Sequence, residues 1–480
     1  MGGASIVNIA LQIVRGKCVA MILGPAGVGL IGTFTSITAL ISAVAGMGIN
    51  SSGVRQIAEA TGSGDQERIA RTAIALRRVS LVLGLLGAAV MVAMSPWLSQ
   101  WTFGDRSHVL ALMLLSLTVL FGAISGGQTA LIQGTRRIGD LMKLTMLGAA
   151  AGTVASIPLV WLWGERGIAP FMIVVAACAI VTSWWYARKV PLAPVTCDVR
   201  QTVRECKPLL AFGFSLMVSG LLTLGGAYLI RVIVIRTLGM EATGHYQAAI
   251  SLSSIYVGFV LSAMGTDFYP RLTAVSVDHA AMTTMVSEQS EISLLLAVPG
   301  ILATLAFAPL VIALFYSRDF TPAVEVLRWQ ILGIALRVVS WPIGFAILAK
   351  GAGRTFIATE AAAYLVQIGG IWLFVSAFGL KGTGIAFFAM YFFYWAMVYL
   401  VVHRMIGFRY SVAARRILWW TLPAVAAAFL ATEFIPGWLA LIVTLPVMLA
   451  ATWYCGNALA ALVPESMPAV LWEKVAKWVR

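Results

Sequence analysis

Five cations stand inside apolar stretches of this chain, and they are the residues best placed to do chemistry. Arg15 and Lys17 interrupt the first apolar run, Arg231 the seventh, and Arg328 and Arg337 the tenth. A cation at a bilayer centre costs roughly 2.5–3.5 kcal/mol on insertion scales, so it normally faces a bundle interior or a water-filled cavity. There it can hold an anion where charge is weakly screened. An arginine adds a planar fork that grips phosphate or carboxylate oxygens in pairs. Arg231 and Arg337 have no acidic residue within four positions and are the first candidates. The competing reading for both is structural, a contact with backbone carbonyls or with a distant acid such as Asp267 or Glu360.

The spacing sorts the remaining candidates. Arg15 and Lys17 are two apart and diverge by about 200° on a helix. Both cannot face a cavity centre; Arg15 could snorkel towards the surface or reach a neighbouring helix. Arg328 follows Glu325 by three residues, which predicts a local pair. Gln330 and Arg337 are seven apart and share a face. Trp341 lies one turn further, and Pro342 is expected to kink the helix there. Such a polar and aromatic stripe suits stacked sugar rings, although Trp341 could equally serve core packing. The candidate ligand-binding set is Arg231, Arg337, Lys17, Arg15, Gln330 and Trp341. Asp267 and Glu360 are the candidate ion-coupling acids. No catalytic residue and no metal site is expected.

The elements that must position these residues are membrane helices. The chain has 480 residues, 60% hydrophobic, with a mean hydropathy of +0.92 and only 11% charged. That composition excludes a soluble globular protein. The runs predict about fourteen spans, near 4–24, 28–49, 79–99, 109–132, 144–163, 168–186, 209–235, 245–267, 291–315, 323–348, 357–378, 384–402, 417–434 and 437–458. Of the 33 Lys and Arg residues, 23 fall in connections on one side, 5 on the other and 5 inside spans. The positive-inside rule puts the richer side, and with it both termini, in the cytoplasm. The net charge of +14 then follows from topology, and no nucleic-acid partner is needed. The basic loops are expected to touch anionic headgroups. The outer connections are too short for a catalytic domain.

Other features are punctuation. The tail from Pro464 to Arg480 suits an amphipathic helix on the inner surface. Cys18, Cys178, Cys197, Cys206 and Cys455 show no metal or disulfide spacing. Gly27, Gly29 and Gly32 formally match the dinucleotide fingerprint, but they lie between two spans with no strand before them, so nucleotide binding is rejected. No cofactor is expected.

The chain also repeats itself. Leu23-Gly24 ends span 1 and Leu238-Gly239 ends span 7. Gly48 closes span 2 and Gly265 span 8. Gly134 follows span 4 and Gly351 span 10. The offsets are 215, 217 and 217 residues (239 − 24, 265 − 48, 351 − 134). Three matches in register argue for duplication in parallel orientation. The expected domains are an N-terminal six-helix bundle with its cytoplasmic linker at 1–208, a second bundle at 209–416, and two further helices with the tail at 417–480. Because the repeat omits 417–458, truncation after Arg416 is expected to leave both bundles able to fold. Pseudo-symmetry would place Lys17 and Arg231 on opposite walls of one cavity.

These motifs resemble the Wzx-type O-antigen and enterobacterial-antigen flippases of the polysaccharide transporter group. Gly16-Lys17 followed by Gly24-Pro25-Ala26-Gly27 and Gly29-Leu30 looks like the family's opening. Ala227–Arg231, Gly244–Gln247 and Tyr269–Leu272 look like later family segments. Trp329-Gln330, Gly333 and Arg337 match the family's W-Q-x-x-G with a basic residue four positions on. Together the matches span residues 14 to 354. Two departures stand out: Ile334 replaces an acid that the family carries after that glycine, and two spans follow the usual twelve.

The resemblance implies an all-α polytopic membrane protein of about fourteen helices, with two pseudo-symmetric six-helix bundles of the multidrug-and-toxin-extrusion (MATE) type plus two C-terminal helices. It implies a bacterial inner-membrane flippase, not an enzyme. The ligand would be a polyprenyl-pyrophosphate-linked oligosaccharide of the undecaprenyl type, moved to the periplasmic leaflet by alternating access. Polysaccharide polymerase and chain-length assembly proteins would be its partners. The rival readings are a MATE-like drug or cation antiporter, which would favour acids in the cavity, and a glycan polymerase or ligase, which would need a large outer loop.

Overall fold

The computed structural model describes residues 2–195, 198–435 and 437–462; Cys197 and the tail at 464–480 lie outside them. Every regular element is helical among these residues. They are α1 (Gly2–Gly46), α2 (Ile49–Gly62), α3 (Gln66–Phe103), α4 (Val109–Gly134), α5 (Ile138–Trp163), α6 (Ile168–Ala187), α7 (Val199–Ala274), α8 (His279–Ala306), α9 (Ala308–Phe315), α10 (Ala323–Ala349), α11 (Gly353–Phe378), α12 (Lys381–Ile406), α13 (Val412–Phe434) and α14 (Leu439–Leu462).

Eleven stretches are long and apolar enough to cross a membrane. Three of them are divided by a positive-φ glycine, and counting each as two restores the fourteen expected spans. α1 has 45 residues, about 68 Å at 1.5 Å each, against a hydrocarbon core of about 30 Å. It breaks at Gly24 (φ 64°, ψ −166°), just before Pro25. α7 breaks in the same way at Gly239 (φ 87°, ψ −179°). The stretch from Ile138 to Ala187 turns at Gly164 (φ 55°). Each break uses a left-handed φ that a side chain disfavours.

The connection expected between the second and third spans, residues 51–78, is largely helical instead. α2 buries Ile49, Ile57 and Ala60 and leaves Arg55 and Glu59 outside as an exposed pair at 2.9 Å. α3 begins well before its apolar run, where Asp65 caps it by accepting from the Arg68 N–H. Capping and amphipathic packing extend these helices beyond what apolar length alone predicts.

The repeat is sharper in the backbone than in the sequence. Gly24 and Gly239, Arg136 (φ 57°) and Gly351 (φ 70°), and Gly164 and Gly379 (both near φ 56°) each hold the same unusual conformation. All three pairs are 215 residues apart (239 − 24, 351 − 136, 379 − 164). α4 and α10 end in one hydrogen-bond pattern at that spacing. Thr135, Arg136 and Arg137 N–H donate to Leu131, Gln133 and Ile132, and Lys350, Gly351 and Ala352 N–H donate to Ala346, Leu348 and Ile347. Gly167 and Gly382 likewise press on the carbonyls of Leu159 and Phe374. The partner of Gly351 is therefore Arg136 rather than Gly134. The match of Gly48 with Gly265 has no backbone counterpart, because Gly48 holds a positive φ and Gly265 lies in the continuous helix of α7 after its break at Gly239.

The chain forms two compact units, residues 1–244 with 315–317, and 245–314 with 318–480. In the first, α1 to α6 pack with the N-terminal part of α7. Gly29 meets the backbone of Met240 and Gly244, and Tyr228 and Thr102 share a hydrogen bond of 2.6 Å. In the second, α10 is the most enclosed span, and α11 and α12 close over it. α13 and α14 pack against α8. Ser411 caps α13 and donates to buried Glu291 at 2.6 Å; Glu433 bonds Lys381; Phe429 stands edge-on to Trp329 at 4.8 Å. Leu, Trp and Phe side chains left outside, among them Trp161, Trp372, Trp419 and Phe434, suit a lipid environment.

Candidate ligand cavity in the second repeat

Three helices of the second unit converge on a cavity of about 230 Å³. Helical periodicity selects its walls. α10 supplies Arg337, Ser340, Trp341, Gly344, Phe345 and Leu348, which recur at the spacing of one face. α11 supplies Phe356, Glu360, Ala363, Tyr364 and Gln367, and α12 supplies Met390, Tyr391 and Tyr394. These positions run from the middle of the three helices towards the end at which α10 connects to α11.

The polar groups form a graded set. Tyr394 Oη donates to Glu360 Oε1 at 2.7 Å. Gly344 makes room for that phenol, since a Cβ there would lie 3.2 Å from Tyr394 Oη. The Arg337 guanidinium stands over the Tyr391 ring, 6.0 Å from its centroid, within cation–π range. Arg337 and Glu360 interact electrostatically, but no direct ion pair closes between them. Gln367 is 5% exposed, and its amide has no hydrogen-bond partner among the described residues. Trp341 packs on Phe345 at 4.5 Å and Phe268 at 6.0 Å.

The structure brings Arg337, Trp341 and Glu360 together here and leaves the other candidates elsewhere. Gln330 is fully buried two turns above Arg337, accepting from Ser253 Oγ at 3.1 Å, and does not line the cavity. α10 runs on as a helix through Pro342. Asp267 is exposed and pairs with Arg271 one turn on, at 2.8 Å. Arg231 belongs to the first compact unit, where it donates to Ser36 Oγ on the second half of α1. Lys17 is in that same unit, half-buried, so the two lie within one unit rather than in separate halves. Arg15, also half-buried, lies 6.0 Å from the Phe171 ring. Arg328 interacts electrostatically with the expected Glu325 and also with Glu433 of α13.

Sequence reasoning missed Tyr391, Tyr394, Tyr364 and Gln367. A signal existed: Glu360, Tyr364 and Gln367 at i, i+4 and i+7 form a polar stripe on an otherwise apolar span.

Comparison with known proteins fixes the family. The profile described as "Polysaccharide biosynthesis protein" matches residues 18–325. The chain belongs to this family. Among curated relatives, the lipid III flippases of Escherichia coli (strain K12) and Shigella flexneri are each 24% identical over 412 residues, 82% of this chain and 94% of theirs. Among solved structures, an inward-facing multidrug resistance MATE family transporter of the MOP superfamily superposes with a TM-score of 0.70 at 17% identity, over 86% of this chain and 99% of that one. The lipid II flippase MurJ in an inward closed conformation gives 0.66 at 15% identity, over 96% and 98%. Both share the all-α polytopic fold. This family member is a multi-pass bacterial membrane transporter and not an enzyme.

Proposed function

We propose that this transporter flips a polyprenyl-pyrophosphate-linked oligosaccharide, an O-antigen or related surface polysaccharide unit, from the cytoplasmic to the periplasmic leaflet by alternating access. The observation that carries the reading is its similarity to lipid III flippases over 94% of their length. The charge asymmetry supports an inner-membrane location with both termini cytoplasmic. Polymerase and chain-length proteins would receive the flipped unit.

The pyrophosphate needs donors in a water-poor site, and Arg231, with Lys17 and Arg15, is assigned that task in the first unit. The Ser36 hydroxyl accepts from the Arg231 fork and helps to fix its position. Of the two acids considered for ion coupling, Glu360 stands in a cavity, so that role is proposed for it.

The test uses a strain lacking its own flippase, with surface glycan measured beside membrane protein level. The chain should restore surface glycan. A charge-assisted contact contributes about 1.5–3 kcal/mol, so Arg231→Ala should lower translocation roughly tenfold or more while the protein still inserts. Arg231→Lys should recover only part, because the charge returns without the fork. Full glycan with Arg231→Ala at normal protein level would sink the assignment of Arg231. No glycan with the intact chain would sink the flippase reading for that glycan.

A further inference from the structure

We propose that the α10–α12 cavity is a subsite for one uncharged pyranose ring of the transported glycan, held by Gln367, Glu360 and Arg337 against Trp341. The inference rests on the flippase reading and assigns Gln367, Tyr391 and Tyr364, which sequence analysis did not select.

Four observations lead to it. The first is the unsatisfied polarity. Gln367 is almost wholly enclosed, lines the cavity, and offers both a donor and an acceptor with no protein partner. The Tyr391 hydroxyl likewise makes no hydrogen bond among the described residues. These groups line the cavity, where a polar occupant would find both donors and acceptors. An isoprenoid or acyl chain would leave these groups stranded.

The second is charge. The cavity carries one guanidinium and one carboxylate, Arg337 and Glu360, held apart with open space beside both. A pyrophosphate would meet Glu360 as a like charge, which weakly screened surroundings penalise heavily. A neutral polyol meets no such conflict. Glu360 accepts from its hydroxyls through Oε2, Arg337 donates to them, and Gln367 does either.

The third is the aromatic lining. Trp341, Phe345, Tyr364 and Tyr394 give apolar ring faces on which the C–H face of a pyranose can rest. The fourth is size. At about 230 Å³ the cavity falls below the roughly 300–1,000 Å³ of sites for drug-sized ligands. It has room for one ring.

The repeat shows that this lining is an addition to the scaffold. At the same 215-residue spacing, Arg337, Trp341, Glu360, Tyr364, Gln367 and Tyr391 are matched by Gly122, Gly126, Thr145, Ala149, Gly152 and Ala176. The backbone needs none of the polar or aromatic groups.

The experiment is saturation-transfer NMR on the full-length protein in lipid nanodiscs. The probes are the methyl glycosides of glucose, galactose, mannose and N-acetylglucosamine. At least one should receive saturation on its ring protons. Gln367→Leu and Glu360→Gln should each reduce that transfer at least fivefold, and inorganic pyrophosphate should not displace the sugar. Tyr391→Phe, which removes one oxygen, should reduce it about twofold and covers the case in which Gln367→Leu fails to fold. No transfer to any glycoside, transfer unchanged in folded Gln367→Leu, or displacement by pyrophosphate would each overturn the subsite. Loss of surface glycan with Arg231→Ala alongside no glycoside binding would remove the subsite and keep the flippase. Glycoside binding by a chain that restores no surface glycan would remove the flippase reading and keep the site as a sugar site.

Discussion

α4 to α6 and α10 to α12 are one backbone used twice, and they differ in what fills it. Both copies turn at matched positive-φ residues and close their last turns with matched hydrogen bonds. In the first copy α5 packs on α6 through Gly148 and Gly152, where a Cβ would already lie 2.9 Å from Thr182 Oγ1 and 3.4 Å from Val175 Cα respectively. In the second copy the positions matching Gly148 and Gly152 are Ala363 and Gln367, and a cavity opens beside them. Small residues let helices approach in a membrane, where no hydrophobic force draws them together. Large polar ones hold them apart and must gain a compensating role. One copy is therefore a sealed scaffold and the other a furnished site.

The largest test removes what only the second copy carries. α13 and α14 cover α8, and Glu291, Lys381 and Trp329 bond or stack with α13. Truncation after Arg416 removes Glu433 from Lys381 and Phe429 from Trp329, and it uncovers the face of α8 that α13 and α14 bury. The protein should fall at least several-fold in the membrane fraction, contrary to what the repeat pattern alone suggests. A normal level of truncated protein would show that the second copy stands as independently as the first.

Next comes the shared scaffold. A Cβ at Gly167 would lie 2.2 Å from the Leu159 carbonyl oxygen, and one at Gly382 would lie 2.1 Å from that of Phe374. Gly167→Ala and Gly382→Ala should each destabilise by about 3 kcal/mol, because the added Cβ overlaps backbone and forces tightly joined helices apart. A thermal-shift assay should find similar losses. Tolerance of one change and not the other would break the equivalence.

An exchange of furnishing should cost less. Gly152→Gln places an amide between α5 and α6, as Gln367 lies beside α12, but without a cavity. Unsatisfied burial should cost about 1–2 kcal/mol. Gln367→Gly should leave the melting temperature nearly unchanged while reducing transport. The reverse pattern, a silent Gly152→Gln and an unstable Gln367→Gly, would mean that Gln367 is structural. The smallest effect concerns the exposed α3 cap: Asp65→Ala, which removes the acceptor of the Arg68 N–H, should cost about 1 kcal/mol, read as a drop of a few degrees in melting temperature.

The all-helical fold was legible because apolar length is a strong signal, and fourteen spans follow from it once Gly24, Gly164 and Gly239 are seen to divide three long helices. The site was legible only in part. Arg337 and Glu360 announce themselves as charges in apolar runs. Gln367 and Tyr391 do not, because a neutral polar residue in a span has several structural uses and only three-dimensional packing shows which one applies. Asp267 misled for the opposite reason: its charge is visible, but α7 extends past the apolar run and carries it out to Arg271.

Arg136 offers a practical handle for purification. It holds φ 57°, the conformation its counterpart Gly351 adopts freely. A non-glycine residue there gives up roughly 1–2 kcal/mol, of which glycine's extra freedom in the unfolded chain would cancel about half. Arg136→Gly should therefore raise the thermal tolerance of the detergent-extracted protein by a degree or two without touching either copy's interior, a modest gain of the kind that decides whether a transporter of this size survives long enough to crystallise.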